Sequence, residues 1–144
     1  TKPILFLRSK SYTYLFLKGI ITKPSERYFN ESFNNYKLDD NVRYFEKKIN
    51  EINNFILKKE RKITFIILPY EFQTRNNCEE EFLLPQNKII KVFKKNKINF
   101  INFTKEFCSY NKPKKLYINF DPVHLSKEGH NLVFKLLNKK IGIY

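Results

Sequence analysis

The sequence predicts an α/β fold with a parallel sheet, on three observations. Two short runs rich in β-branched and aromatic residues, Ile63-Thr64-Phe65-Ile66-Ile67-Leu68 and Ile98-Asn99-Phe100-Ile101-Asn102-Phe103, read as strands. The first, ended by Pro69, has the pattern of a strand buried on both faces of a parallel sheet. Each run follows an amphipathic helical stretch, and a helix feeding a strand is the unit of α/β proteins. The chain of 144 residues, 42% hydrophobic and 17% aromatic, is long enough for one core and too short for two domains.

Taken in order, residues 4–18 place Leu5, Tyr12, Leu15 and Phe16 around Arg8 and Lys10, which predicts an amphipathic helix stopped by Gly19 and packed on a larger body. Residues 20–37 carry Pro24, several Asn and Ser, and isolated aromatics, and read as a loop or crossover segment pinned by Tyr28, Phe29 and Phe33. From residue 38 the pattern sharpens. Val42, Phe45, Ile49, Ile52, Phe55 and Ile56 recur at spacings of three and four behind Asp39 or Asp40 as cap, a helix to about residue 59 with a solvated face of Lys47, Lys48, Asn50, Glu51, Asn54 and Lys58. The strand 63–68 comes next.

Ligands of open parallel sheets bind beyond the carboxyl ends of strands, where residues 69–75 lie. Gln73 is the candidate substrate-binding residue there; an ordinary polar loop with Tyr70 and Phe72 buried is the competing reading. Glu79, Glu80 and Glu81 are read as solvated, since neighbouring side chains diverge. Pro85 opens a helix through Ile89, Ile90 and Phe93 to about residue 96, the strand 98–103 succeeds it, and Thr104 caps a turn of helix holding Phe107 and Cys108. Two strands make a thin sheet for this length, so a further segment or a partner chain is expected to complete it.

The most informative stretch comes last. Asp121-Pro122 is a good opening for a tight turn, which brings the Asp121 carboxylate within reach of the His124 imidazole. A carboxylate there fixes the imidazole tautomer and favours the imidazolium. Ser126 is a suitable N-cap, with Leu132, Val133, Leu136 and Leu137 forming the apolar face of the last helix. Gly129 lies at its third position, where Gly lowers helix propensity by about 1 kcal/mol relative to Ala. A close approach to neighbouring backbone would account for it. His130 is expected to be packed or hydrogen-bonded as a structural residue.

The formal charge of +14 would suit nucleic acid or another anionic partner, but Lys, Asn, Ile, Phe and Tyr all have A/T-rich codons and no nucleic-acid reader motif is present. No apolar run reaches the roughly 18 residues of a membrane span. Cys78 and Cys108 lack metal-ligand spacing. They are read as two free thiols, with a disulfide in an oxidising compartment as the alternative. A metal site from Asp121, His124 and His130 lacks a further converging ligand, and neither metal nor cofactor is expected.

Asp121-Pro122-Val123-His124-Leu125-Ser126-Lys127-Glu128-Gly129-His130 resembles the last conserved block of the SGNH (GDSL-type) hydrolases and acyltransferases. The similarity extends to Leu68-Pro69 followed by Gln73, the Pro85 helix, the second strand with its short helix, and Leu116-Tyr117. Even Leu7-Arg8-Ser9-Lys10-Ser11-Tyr12-Thr13-Tyr14-Leu15 is similar to a basic helix that precedes this half. The resemblance implies a three-layer α/β/α sandwich around a central parallel sheet, with residues 1–144 a single domain incomplete at its N-terminus. It implies His124 as general base, Asp121 as its orienter, a small-molecule or carbohydrate ester as substrate, and the cell envelope as compartment.

The family's Gly-Asp-Ser nucleophile block and its oxyanion-hole Gly and Asn have no counterpart here. Ser9, Ser11, Ser25, Ser32, Ser109 and Ser126 none of them follow Gly-Asp. The expectation is therefore the base-bearing part of a serine esterase or O-acyltransferase, with an inactive glycan- or protein-binding module as the alternative and a nucleic-acid binder third.

Overall fold

The structure, a computed structural model, describes residues 11–119 and 121–142. Its elements are α1 (Tyr12–Thr22), α2 (Pro24–Lys37), α3 (Asp39–Leu57), β1 (Phe65–Ile67), α4 (Glu71–Arg75), a 3₁₀ turn (Glu80–Leu83), α5 (Leu84–Lys95), β2 (Phe100–Asn102), α6 (Thr104–Cys108), a second 3₁₀ turn (Pro113–Leu116) and α7 (Lys127–Ile141). Helix dominates, and the strands form a two-stranded parallel sheet in the register Phe65↔Phe100, Ile66↔Ile101, Ile67↔Asn102. The α/β class expected from the sequence holds at that level.

Two apolar clusters meet at the sheet. Ile49 of α3, Ile67 of β1, Val92 and Phe93 of α5 and Ile98 form one, joined by Phe45, Phe65 and Phe100. Phe103, Phe107, Leu116 and Tyr117 form the other, joined by Ile101 and by Leu132, Val133, Leu136 and Leu137 of α7. Phe100 thus serves the first cluster and Ile101 the second, as the period of two along a strand requires. β1 is not buried on both faces, as its sequence had predicted: Ile66 is 40% exposed. Past Ile49 the apolar stripe of α3 also runs out of cover, and Ile52 and Phe55 are exposed.

Residues 20–37 are not a loop. α1 continues through Gly19 to Thr22, and Lys23, at φ 39°, turns the chain directly into α2. Pro24 occupies the first turn of α2, where its missing N–H costs nothing. The helix forms because Phe29 has somewhere to go. It is buried, stacked on Phe72 at 4.8 Å between centroids and edge-on to Tyr70 and Phe82. The part of the predicted first helix before residue 11 lies outside the described residues. Among the described residues no helix is long and apolar enough to cross a membrane.

Cys78 and Cys108 are joined in a disulfide, with Cα atoms 5.7 Å apart, which corrects the reading as free thiols. The bond ties the chain just after α4 to the end of α6. Their separation of 30 residues hid the pairing, since α5 and β2 have to fold between them before the two sulfurs meet.

Candidate functional site

The chain leaves β1 through Leu68 and Pro69, and the residues beyond Pro69 build a platform for the turn 121–124. The first layer is a buried amide pair. Gln73 is fully buried, its Oε1 accepting from the Tyr70 N–H at 2.7 Å and its Nε2 donating to Phe82 O at 2.6 Å and Gln86 Oε1 at 2.7 Å. Gln86 Nε2 donates back to Gln73 Oε1 at 2.8 Å. Gln73 does lie beyond the strand end, as expected of a substrate-binding residue, but its amide is enclosed and satisfied by protein groups and presents nothing to solvent.

The second layer is the neck of the turn. Tyr117 and Leu125 form an antiparallel bridge, flanked by Ile118 N–H donating to His124 O (3.0 Å) and Ser126 N–H donating to Leu116 O (2.9 Å). Tyr117 Oη donates to Pro69 O at 2.5 Å, and Glu71 N–H donates to Pro122 O at 3.1 Å, so the turn is fastened to the chain leaving β1. Burial, helped by the Glu71 carboxylate, pushes the Tyr117 phenol well above its usual pKa, which keeps it a donor. Sequence reasoning gave Tyr117 no role of its own; the only signal was its place in the apolar run before the turn.

The third layer is α7. Ser126 Oγ accepts from the N–H groups of Glu128 and Gly129, at 3.1 and 3.2 Å, and donates to Lys115 O. It is the N-cap the sequence had indicated. At Gly129 a Cβ would overlap the Leu116 carbonyl oxygen, which is the close backbone approach expected of it. His130 is exposed and makes no side-chain hydrogen bond among the described residues, so it is not the packed residue anticipated.

On this platform Asp121 and His124 meet. Asp121 Oδ1 accepts from the N–H of Val123 (3.0 Å) and of His124 (2.8 Å), and both carboxylate oxygens lie within reach of His124 Nδ1, at 2.9 and 2.8 Å. Partial burial raises the Asp121 pKa, but the two backbone donors and the imidazole outweigh it and hold the carboxyl below its usual value. The His124 side chain is 73% exposed, and its other nitrogen, Nε2, has no partner among the described residues. The carboxylate directs the Nδ1 proton, leaving Nε2 as the basic nitrogen that faces outward.

No described serine approaches that imidazole through a hydrogen bond. Ser25 donates to Glu71 Oε2, Ser109 to Glu106 O and Ser126 to Lys115 O, while Ser11 caps α1. Among the described residues no three His, Cys, Asp or Glu side chains gather as a metal site.

Fold and site together define an α/β protein that presents a carboxylate-oriented imidazole at the carboxyl end of its sheet. No protein-family model, curated protein or solved structure matches the chain.

Proposed function

We propose that the chain is the base-bearing part of a serine esterase or O-acyltransferase of the SGNH type, acting on acyl esters, among them those of carbohydrates, and built as a three-layer α/β/α sandwich. The observation that carries this is the Asp121–His124 pair, in which both carboxylate oxygens face Nδ1 and Nε2 has no partner among the described residues. In this reading Nε2 takes the proton of a serine hydroxyl supplied by sequence outside this chain. The serine attacks the ester carbonyl, and the imidazolium, stabilised by Asp121, returns its proton to the departing alcohol. Donors outside this chain hold the oxyanion. The clusters on opposite sides of β2 favour the layered architecture, in which a helix layer widened by further strands at the β1 edge would cover Ile66.

The test is turnover of p-nitrophenyl acetate by the protein carrying its upstream sequence, with and without His124→Ala. Unchanged turnover in the variant would remove the reading. A second reading is a non-catalytic SGNH-like module that binds a glycan or a protein, favoured by the engagement of Ser25, Ser109 and Ser126 with other groups. An upstream sequence without Gly-Asp-Ser selects it. Nucleic-acid binding is the weakest reading, resting on net charge alone, and would appear as affinity for random DNA that falls steeply with salt.

A further inference from the structure

A cleft of about 480 Å³ opens where α2, α3 and the residue before α4 meet, within the ~300–1,000 Å³ range of small-ligand sites. Its chemistry is unlike the rest of the surface. In a chain in which 29% of residues are charged, no residue lining the cleft carries a charge. Tyr36, Tyr44 and Tyr70 supply rings, and Ser32, Asn35 and Asn41 supply neutral groups that both donate and accept.

Most of that capacity is unused. Asn41 Nδ2 donates to Asn35, to its backbone oxygen at 3.3 Å and its Oδ1 at 3.4 Å, which leaves Asn35 Nδ2 and Asn41 Oδ1 without partners among the described residues. The Ser32, Tyr36 and Tyr44 hydroxyls likewise make no hydrogen bond there. Burial, with the Tyr70 phenol beside it, pushes the Tyr36 pKa up to about 12, further still from ionisation than a free phenol. Flat apolar rings beside uncharged two-way hydrogen-bonding groups match a sugar ring, with C–H faces on one side and hydroxyls at its rim.

We infer that this cleft is a binding site for a neutral sugar residue of a glycan, held by stacking on Tyr44 and by hydrogen bonds to Asn35 and Asn41. Lys48 Nζ lies 5.8 Å from the Tyr44 ring centroid, so the sugar stacks on the other face. Tyr70 precedes Glu71, whose N–H holds Pro122 O, so the cleft and the Asp121–His124 turn flank the same strand end. As the substrate class of the site proposed above, the inference rests on that reading; as a binding site, it requires no serine.

The experiment is an NMR chemical-shift titration of the full 144-residue chain with cellohexaose, mannohexaose and chitohexaose, and with polygalacturonate as the acidic counterpart. The expected result is saturable binding of at least one neutral hexasaccharide, unchanged by added salt. Tyr44→Ala should weaken it about tenfold and Tyr44→Phe should retain it. Tyr44 is 65% exposed, so the fold tolerates both. No binding of any neutral hexasaccharide, salt-sensitive binding of polygalacturonate alone, or binding indifferent to Tyr44→Ala would each overturn the inference. Sugar binding without ester turnover in the serine-bearing protein would instead overturn the acyl-transfer reading and leave the cleft standing.

Discussion

Two polar pairs are attached to the chain as it leaves β1, and they differ in what surrounds them. Gln73 and Gln86 are sealed in the interior, each bonded to the other and to backbone, with Gln86 also reaching Leu68 O at 3.4 Å. Asp121 and His124 are joined as closely, but the imidazole stands in solvent. A buried amide must find every partner within the fold, because an unmade hydrogen bond there costs about 1–3 kcal/mol. An exposed imidazole has water for its second nitrogen and does not need the fold to satisfy it. The first pair therefore holds the platform, and the second is free to do chemistry.

The two pairs differ most at His124. In the serine-bearing protein, His124→Ala is expected to lower ester turnover by about 10⁶-fold, while its unfolding free energy, read by urea denaturation, changes by no more than about 0.5 kcal/mol. A stability loss with unchanged turnover would make the imidazole a scaffold group like Gln73.

The next largest effect is on the sealed side. Reducing the Cys78–Cys108 bond is expected to cost about 3–4 kcal/mol by the loop-entropy estimate for a 30-residue separation, read as a drop in the urea midpoint with dithiothreitol. The Cys78 N–H donates to Gln73 O at 2.7 Å, so amide exchange at Cys78 and Tyr70 should accelerate before exchange at Ile118, whose N–H closes the neck of the turn. Gln73→Leu comes third. It strips partners from Tyr70 N, Phe82 O and Gln86 and is expected to destabilise by about 2–3 kcal/mol. Adding Gln86→Leu should cost less than the single effects sum to, since one half of the pair is already lost.

The same contrast explains what could be read in the sequence. The Asp121–His124 turn and the Ser126 cap were legible because each depends on residues a few positions apart, and the Gly129 approach because a glycine in the first turn of a helix signals it locally, although the carbonyl it meets is that of Leu116, on the far side of the turn. The burial of Gln73 was not legible because its position beyond a strand is a local fact, whereas its enclosure comes from Phe82 and Gln86 across a turn. α2 was missed for a related reason. Its sequence is poor in apolar residues, and it is tertiary contacts, above all the docking of Phe29 against Phe72 and Phe82, that stabilise it as a helix. The disulfide needs the 3₁₀ turn Glu80–Leu83, α5, β2 and α6 in place, which no spacing rule supplies.

The smallest effect tests what the carboxylate itself contributes. Because the folded pKa of Asp121 lies below the usual value of 3.8, its ionised form stabilises the fold above that pH, and the contribution is lost as pH falls through it. Asp121→Asn keeps an oxygen that can accept from Val123 and His124 but removes the charge. The variant should therefore unfold at slightly lower urea than the parent near neutral pH, and the gap should close as the pH falls through the lowered folded pKa, below which the parent's carboxyl is itself neutral. A gap that widens on acidification would mean that burying the charge costs more than the backbone donors and the imidazole return. Asp121 would then be retained at a net cost to stability, and holding His124 in place would be its main effect on the fold.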